Sequence, residues 1–373
     1  MTVKSKFIAC SMLLLILLPG ALNVSAGSPI GGRFLIYDDT LVTEALPALA
    51  YNSQRHEFLV VWEAETIATG AYEIWGRRVS AYGAPLGAAF RISAEGRRPD
   101  VAYNSTSNEY LVVWEQDRAV MGQRVTALGA LQGSAFTIAT GIDFLLTSCN
   151  QPAVTYASTS NRYLVVYRFQ NLLNGGSAIK ARSYLADGNP EGASFDITAY
   201  NESTDPEQPD VAYNRSRDEA LVAWQETYPS TGDLDILARR VAFTGGAAPL
   251  DAPFYIISTT TDELLPAVAA IPTAPDQGQY LITYQVDPDT INHDIAARAV
   301  SGTGAVGAQY TLANTGWSEL RPSVAGCESN RQFFVTWVWI PVSTPPAMMQ
   351  VQARNLALDG ARNKVAHHRA RHG

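Results

Sequence analysis

The sequence is poor in cysteine and histidine and has no excess of positive charge. Of its 373 residues, 3 are Cys and 5 are His, and the formal net charge is −8. Phosphate binding needs a basic surface, so nucleic acid is excluded as the main partner. Because His56 and His293 are isolated and the other histidines lie close to the C-terminus, no nucleophile–base pair can be recognised. Enzymatic activity is therefore left open, and a non-enzymatic role is favoured.

A long apolar run is missing as well. The run Met12–Leu18 is too short to span a bilayer as a helix. Two lysines precede it and a small-residue cleavage sequence ends at Ala26, as in secretory signal peptides. We expect residues 1–26 to be a signal peptide, with a retained N-terminal anchor as the alternative. The protein is then predicted to be secreted or periplasmic, with no transmembrane segment after cleavage.

The sequence contains six copies of one repeat, and none shows a long stretch of helical periodicity. A clear copy, RPDVAYNSTSNEYLVVWE, starts at Arg98, and the copies start near residues 46, 98, 151, 208, 265 and 321. Successive prolines at the head of each copy are 52 to 57 residues apart. Units of this size and pattern fit four short β-strands, here called A to D, better than helical repeats.

The pattern within the repeats indicates how the units pack. Strand B, for example YLVVW, is apolar on both faces, as required of a sheet packed between two neighbouring sheets. The sixth unit lacks strand D, whereas residues 27–36 (GSPIGGRFLI) match residues 83–92 (GAPLGAAFRI), which end the first unit. The N-terminal segment is therefore expected to supply the missing strand.

These features resemble the six-bladed β-propellers, which commonly close their ring in this way. The resemblance implies an all-β protein with four antiparallel strands per blade, forming one domain over residues 27–360. Residues 27–38 are expected to be the outer strand of blade 6, and residues 361–373 a disordered basic tail. Two cysteines on opposite faces of such a ring, Cys149 and Cys327, cannot form a disulfide.

The motifs that mark several propeller subfamilies are missing. The chain has no WD dipeptide pattern, no paired kelch glycines and no Ser-x-Asp-x-Gly-x-x-Trp turns of the kind sialidases carry. The repeat looks like those of exported bacterial propellers, which resemble this chain in fold only. Because fold does not imply function, no reaction follows from it.

The loops between strands B and C and between strands D and A vary in length, and both kinds lie on one face of a propeller, here called the loop face. Variable loops on a rigid scaffold usually carry binding. The candidate ligand-binding residues are acidic, aromatic or imidazole side chains in these loops: Tyr200, Asp205, Tyr228, Asp233, Asp235, Asp287, Asp289, His293, Trp317 and Trp339. The alternative to ligand binding is that the acidic loops only keep an exported protein soluble.

No cofactor is expected apart from structural calcium, for which Asp287, Asp289 and Asp294 are the candidate ligands. Their spacing breaks the EF-hand pattern. The favoured function is an exported binding or interaction module whose partner is an extracellular glycan or a protein. The alternatives are a carbohydrate-active hydrolase using acids of the loop face and a structural cell-envelope protein. The oligomeric state and the catalytic residues stay unassigned.

Overall fold

The computed structural model describes residues 35–37, 41–141, 146–227, 231–273, 277–287, 292–340 and 350–357, together with the backbone of residues 366–368. These residues form strands and turns and contain no helix. No helix of the described part is long and apolar enough to cross a membrane.

Six small antiparallel sheets, one for each repeat, form the ring of a six-bladed β-propeller, as predicted. Blade 1 holds β1 (Val42–Asn52), β2 (Glu57–Thr66), β3 (Tyr72–Ser80) and β4 (Pro85–Ser93). Blade 2 holds β5 (Arg97–Asn104), β6 (Glu109–Gln116), β7 (Ala119–Thr126) and β8 (Leu131–Ala139). Blade 3 holds β9 (Thr147–Ala157), β10 (Arg162–Asn171), β11 (Ser177–Leu185) and β12 (Pro190–Asp196).

The second half of the chain repeats this order. Blade 4 holds β13 (Glu207–Asn214), β14 (Glu219–Thr227), β15 (Leu234–Ala242) and a divided outer strand, β16 (Ala248–Pro249) and β17 (Phe254–Ile257). Blade 5 holds β18 (Asp262–Ile271), β19 (Gln279–Asp287), β20 (Asp294–Ser301) and β21 (Val306–Ala313). Blade 6 holds β22 (Ser318–Cys327), β23 (Gln332–Ile340), β24 (Gln350–Ala357) and β25 (Ala366–His368). The first strands of successive blades, from β1 to β22, lie side by side.

The hydrophobic core lies between blades rather than within one layer. Five clusters of buried residues each join two successive blades, from the pair 1/2 to the pair 5/6. The tryptophans of strand B are buried, as expected for core residues: Trp62, Trp114, Trp224 and Trp337. Strand B is apolar on both faces because each of its faces contacts another blade.

An arginine of strand C links each of several blades to the one before it. The guanidinium of Arg182 donates to the carbonyl of Ile138 at 3.2 Å, and that of Arg239 donates to the carbonyl of Ile197 at 2.8 Å. Both carbonyls follow the outer strand of the preceding blade or lie in it. These arginines therefore have a structural role between blades.

The same contact occurs at the junction where the ring closes. Arg77 of blade 1 donates to the carbonyl of Ile36. Ile36 and Tyr37 pack on blade 1, with the Tyr37 ring 5.4 Å from that of Trp62. Residues 35–37 thus contact blade 1 as an outer strand contacts the next blade elsewhere in the ring. The rest of the predicted strand, residues 27–34 and 38, lies outside the described residues, so the strand itself stays a prediction.

The strand paired with β24 differs from this expectation. It is β25, which belongs to the tail predicted to be disordered, and it pairs Ala366 with Asn355 and His368 with Ala353. The physical reason is that β24 presents unpaired backbone groups, which any extended segment can satisfy. Cys149 and Cys327 are both buried, the first in β9 of blade 3 and the second in β22 of blade 6.

Candidate functional site

Each strand A is the innermost strand of its blade and contains a β-bulge. The bulge lies at the residue before the proline at the head of each repeat. These six residues have φ between 50° and 58°, a region that non-glycine residues rarely adopt: Leu46, Arg98, Gln151, Gln208, Leu265 and Arg321. The register of the strand pair A–B shifts at the same point. A bulge frees backbone groups from the ladder, so each one needs a partner from outside its own sheet.

At four of the six bulges the partner is the residue that follows the aromatic side chain of strand B in the preceding blade. The N–H of Gln208 instead donates to the Gln151 side chain at 2.6 Å. Gln225 accepts from the backbone N–H of Leu265 at 2.7 Å, and Gln285 accepts from that of Arg321 at 3.2 Å. In blades 1 and 2 this position holds a glutamate instead. The ring therefore uses neutral side chains for this bond in blades 4 and 5 and carboxylates in blades 1 and 2.

These two glutamates lie close together on the loop face of blades 1 to 3. Glu63 accepts from the backbone N–H of Arg98 at 2.8 Å, and Glu115 accepts from that of Gln151 at 2.6 Å. The guanidinium of Arg98 also contacts Glu115 at 3.3 Å. Arg98 thus connects the two carboxylates, one through its backbone and the other through its side chain.

Glu63 and Glu115 differ in their surroundings. Glu63 is 5% exposed, and burial raises the pKa of its carboxyl, with a smaller upward contribution from Glu115 and opposing contributions from Arg97 and Arg98. The Glu115 side chain is 18% exposed and has a cationic partner in Arg98. A carboxyl whose pKa is raised by burial therefore lies beside one that forms an ion pair with a guanidinium.

A cleft opens beside these glutamates because blade 2 has very short loops. Its B–C connection consists of residues 117 and 118 only, whereas this connection has five residues in blade 1 (67–71) and five in blade 3 (172–176). The connection from β4 to β5 is also short, residues 94–96. The gap between the longer neighbouring loops is a cavity of about 600 Å³, a size typical of ligand sites.

The floor of the cleft is close-packed. A Cβ atom placed on Gly96, whose φ is 149°, would lie 2.3 Å from Cδ1 of Trp114. Gly96 therefore cannot be replaced by a larger residue without displacing the buried tryptophan.

The lining of the cleft combines ionic, amide and aromatic groups. Its polar and aromatic members are Tyr72, Glu95, Arg97, Glu115, Gln116, Asp117, Arg118, Ser148, Asn150 and Gln170. The guanidinium carbon of Arg97 lies 3.7 Å from the centre of the Tyr72 ring, and the Gln116 amide donates to Glu95 at 3.1 Å. Such a set offers hydrogen-bond donors and acceptors to hydroxyl groups, which sugar binding requires.

A second cavity lies where strands A of blades 1, 4, 5 and 6 meet. It measures about 220 Å³ and is lined mainly by β1, β13, β18 and β22. Its acid, Asp210, accepts from the backbone N–H of Val268 at 2.9 Å. The cavity is small, and its carboxylate already has a structural bond, so it is a weaker candidate than the cleft of blade 2.

The predicted site residues fall into three separate groups, and none lines the cleft. At blades 3 and 4, Asp205 is an ion-pair partner of the buried Arg168 and accepts from Ser177 at 2.7 Å. Tyr200 is 41% exposed and donates to Asn174 at 2.8 Å. Asp205 thus has structural partners.

At blades 4 and 5, Asp233 and Asp235 lie near an acid that sequence reasoning did not single out, Glu263. Asp235 and Glu263 are each 1% exposed. Burial raises the pKa of Glu263 to about 7, with a further upward contribution from Asp235; hydrogen bonds from Thr259 and Thr261 oppose the rise. Burial likewise raises the pKa of Asp235. This is a buried acid pair with no cation among the causes of either shift.

At blades 5 and 6, Asp287 and His293 form a hydrogen-bonded pair, with His293 Nδ1 2.7 Å from the Asp287 carboxylate. Trp317 and Trp339 pack edge to face, 6.0 Å between ring centres. Burial raises the pKa of the neighbouring Glu319, and Asp294 adds to the rise. The acid pair of blades 4 and 5 thus has an equivalent one blade further on.

Two predicted residues, Tyr228 and Asp289, lie outside the described residues. Among the residues that are described, no group of three or more His, Cys, Asp or Glu side chains is arranged to hold a metal ion. The calcium site suggested for Asp287, Asp289 and Asp294 therefore stays a prediction.

The residues of the cleft were not predicted, because the candidate residues were taken from the longer loops. The sequence does contain a signal: between strands B and C, blade 2 has WEQDRAV where blade 1 has WEAETIATGAYEIW. A single short loop between longer ones predicts an open space on the loop face. Glu63 and Glu115 occupy equivalent positions of the repeat, near the end of strand B that leads into this loop.

Comparison with known proteins supports the fold. No family model and no curated protein matches the chain. An α-L-arabinofuranosidase of Fusarium graminearum superposes with a TM-score of 0.54 at 15% identity, over 86% of this chain and 94% of that one. An α-L-arabinanase of Penicillium chrysogenum complexed with arabinobiose gives 0.53 at 13% identity, over 83% and 92%.

A Hadza microbial sialidase gives a TM-score of 0.51 at 9% identity. The match covers 83% of this chain but only 65% of the sialidase, so the chain spans less than two thirds of that protein's length. At these identities the likeness shows the shared propeller fold alone.

Proposed function

We propose that the protein is a carbohydrate-active hydrolase that cleaves a glycan bound in the cleft of blade 2. The observation that supports this is that Glu115 lines the cleft and that Arg98 links it to Glu63, which has a different environment. Glycoside hydrolysis commonly needs one carboxyl that can donate a proton and one carboxylate that acts as a base or nucleophile. In this proposal Glu63 is the proton donor, and Glu115, in the cleft wall, is the carboxylate that faces the sugar.

The structural neighbours add modest support. Three of them carry names of enzymes that act on glycans, and their folds match that of this chain. Secretion, which the predicted signal peptide at residues 1–26 would provide, would bring the protein to extracellular polysaccharides. That segment lies outside the described residues.

The test uses the variants E63Q and E115Q, because the same fold already holds glutamine at the equivalent positions of other blades. Gln225 and Gln285 make the same bulge hydrogen bond in blades 4 and 5, so glutamine should preserve the fold at both positions. E202Q, an exposed acid of another loop on the same face, is the matched control. The wild-type chain is incubated with a panel of arabino-, galacto-, uronic and sialylated oligosaccharides, and released sugar is measured.

We expect the wild type and E202Q to cleave one member of the panel at equal rates. E63Q and E115Q should lower kcat by roughly 100-fold or more with little change in KM, because each removes a proton-transfer or charge-stabilising group. If both variants retain activity within threefold of the wild type, these residues do not catalyse and the assignment is wrong.

A second candidate is a glycan-binding module that does not hydrolyse its ligand. One observation favours it: Glu63 is only 5% exposed and makes the same backbone bond as the glutamines of blades 4 and 5. Calorimetric binding of an oligosaccharide that the protein leaves intact, with equal affinity in the wild type and E63Q, would select this candidate.

A further inference from the structure

The cleft of blade 2 holds more carboxylates than guanidinium groups. Five carboxylates line it or interact with a residue that does: Glu63, Glu65, Glu95, Glu115 and Asp117. Three guanidinium groups stand against them: Arg97, Arg98 and Arg118. Arg168 donates to Gln170 of the lining but forms an ion pair with Asp205, so this pair adds no net charge. Even with Glu63 protonated, as the proposed function requires, the carboxylates outnumber the guanidinium groups, whatever Arg118 contacts.

Two of these arginines have partners within the protein. Arg98 contacts Glu115 through its guanidinium at 3.3 Å and Glu63 through its backbone N–H at 2.8 Å. The guanidinium carbon of Arg97 lies 3.7 Å from the centre of the Tyr72 ring. Their positive charge is therefore spent on groups of the cleft itself and does not prepare the cavity for an anion.

Glu95 and Asp117 are the exposed carboxylates of the lining. Glu95 belongs to the connection from β4 to β5, and Asp117 to the two-residue turn from β6 to β7. Gln116, which precedes Asp117, donates its side-chain amide to Glu95 at 3.1 Å. The two acids thus lie on adjacent turns of blade 2 and present negative charge to one cavity of about 600 Å³.

The wall that blade 3 contributes adds an acceptor. The amide nitrogen of Asn150 donates to the Ser148 hydroxyl at 3.2 Å. The other end of this amide, Oδ1, is buried and has no hydrogen-bond partner among the residues that the structure describes. A buried acceptor without a donor is unfavourable. A ligand that brings hydrogen-bond donors therefore suits this wall as well as the two exposed acids.

We infer that the cleft recognises an amino sugar, a hexosamine residue whose amine is free and protonated. An ammonium group has three donors and no acceptor, and its hydrogen bonds to carboxylates are of the strong, charge-assisted kind. Glu95 and Asp117 contact the ammonium group, and Asn150 accepts from a neighbouring donor of the sugar. This inference rests on the proposed action on glycans and names the substrate class. A glucosamine oligosaccharide therefore joins the hydrolysis panel as the member expected to be cleaved.

The binding test compares two tetrasaccharides with the same β-1,4 linkage, a glucosamine tetramer and cellotetraose, which differ only in an amine or a hydroxyl at each ring. Putrescine, a diamine without a sugar, is the third ligand. Binding to the full chain is measured by calorimetry at about pH 6, where such amines are protonated, and is repeated with added salt.

The variants remove charge while keeping shape. Asp117 and Arg118 have φ angles of 47° and 64°, and asparagine adopts this region readily, so D117N should preserve the turn. In E95Q the new amide oxygen can still accept from Gln116. E328Q is the matched control, because Glu328 is an exposed acid in the β22–β23 turn, on the opposite face.

We expect the glucosamine tetramer to bind about tenfold more tightly than cellotetraose, or better, with a preference that shrinks as salt is added. The double variant E95Q/D117N should bind the two sugars within about threefold of each other, and E328Q should keep the wild-type preference. Unchanged melting temperatures establish that the variants are folded.

Three results would overturn the inference: equal or tighter binding of cellotetraose, binding of putrescine as tight as that of the amino sugar, or an undiminished preference in E95Q/D117N. None of these touches the proposed function. That proposal fails separately, when no member of the hydrolysis panel is cleaved or when E63Q and E115Q remain active.

Discussion

The buried acid Glu263 gives a quantitative prediction about stability and pH. Burial raises its pKa from 4.5 to about 7, so the folded protein binds this proton more tightly than the unfolded chain does. Stability must then fall as the pH rises from about 4.5 to about 7 and stay low above that range. At about 1.4 kcal/mol per pKa unit, the loss amounts to at most roughly 3 kcal/mol.

Replacing Glu263 with glutamine removes this loss. In E263Q the amide oxygen can still accept from Thr259 and Thr261, and the amide N–H₂ faces the Asp235 side of the pair, where Glu263 Oε2 has no hydrogen-bond partner among the described residues. We expect E263Q to be more stable than the wild type by about 2–3 kcal/mol at pH 8 and nearly equal to it at pH 5.

Urea denaturation at the two pH values measures the effect, because a shift of the midpoint at constant slope reports stability alone. Asp235, beside Glu263, and Glu319, one blade further on, also have raised pKa values. The test therefore depends on the difference in stability between variant and wild type at each pH. D196N, an exposed acid paired with Lys180, should change stability by less than about 0.5 kcal/mol. Destabilisation of E263Q at pH 8 would refute the reasoning.

Three further predictions concern the ring and the cleft. Deleting residues 27–38 removes the Ile36 and Tyr37 contacts with blade 1 and should destabilise the fold by about 3–5 kcal/mol, measured as a melting temperature lower by several degrees. Deleting residues 361–373 is the control, and a larger loss of stability in that control would mean that β25 closes the ring. G96A should destabilise by about 2 kcal/mol or more in urea denaturation, because its Cβ meets the buried Trp114; an unchanged midpoint would show that the floor can relax. R118G should raise the free energy of unfolding by about 1 kcal/mol, because glycine adopts the positive φ without strain. The urea midpoint should rise accordingly, and a lower midpoint would show that the turn is unstrained.

The blades could be predicted from the sequence because one pattern repeats six times. The alternation of apolar strand B with polar turns fixes the strands locally, and the proline spacing sets the blade size. The loops could not be predicted in this way, since each occurs once and its shape depends on its neighbours. Asp205, for example, reads as an acidic ligand in the sequence but is an ion-pair partner of Arg168 in the fold.

The cleft could not be predicted from the sequence either. Its residues come from blades 1, 2 and 3, and what brings them together is the shortness of the Asp117–Arg118 turn, which no single motif marks. Likewise, the charge state of Glu263 follows from its burial beside Asp235, and the two residues are far enough apart in the chain that only the interblade packing reveals their pairing.

The short turn of blade 2 has a consequence for how such a protein changes over time. Every blade has the same two strand ends, those of strands B and C, on the loop face. A short connection between them would therefore form a cleft at any blade. Trimming the β19–β20 loop to two residues would open a comparable gap at blade 5, beside the buried acids Glu263 and Glu319. A single deletion could thus give the scaffold a pocket with acidic walls and a preference for cations, without altering any strand.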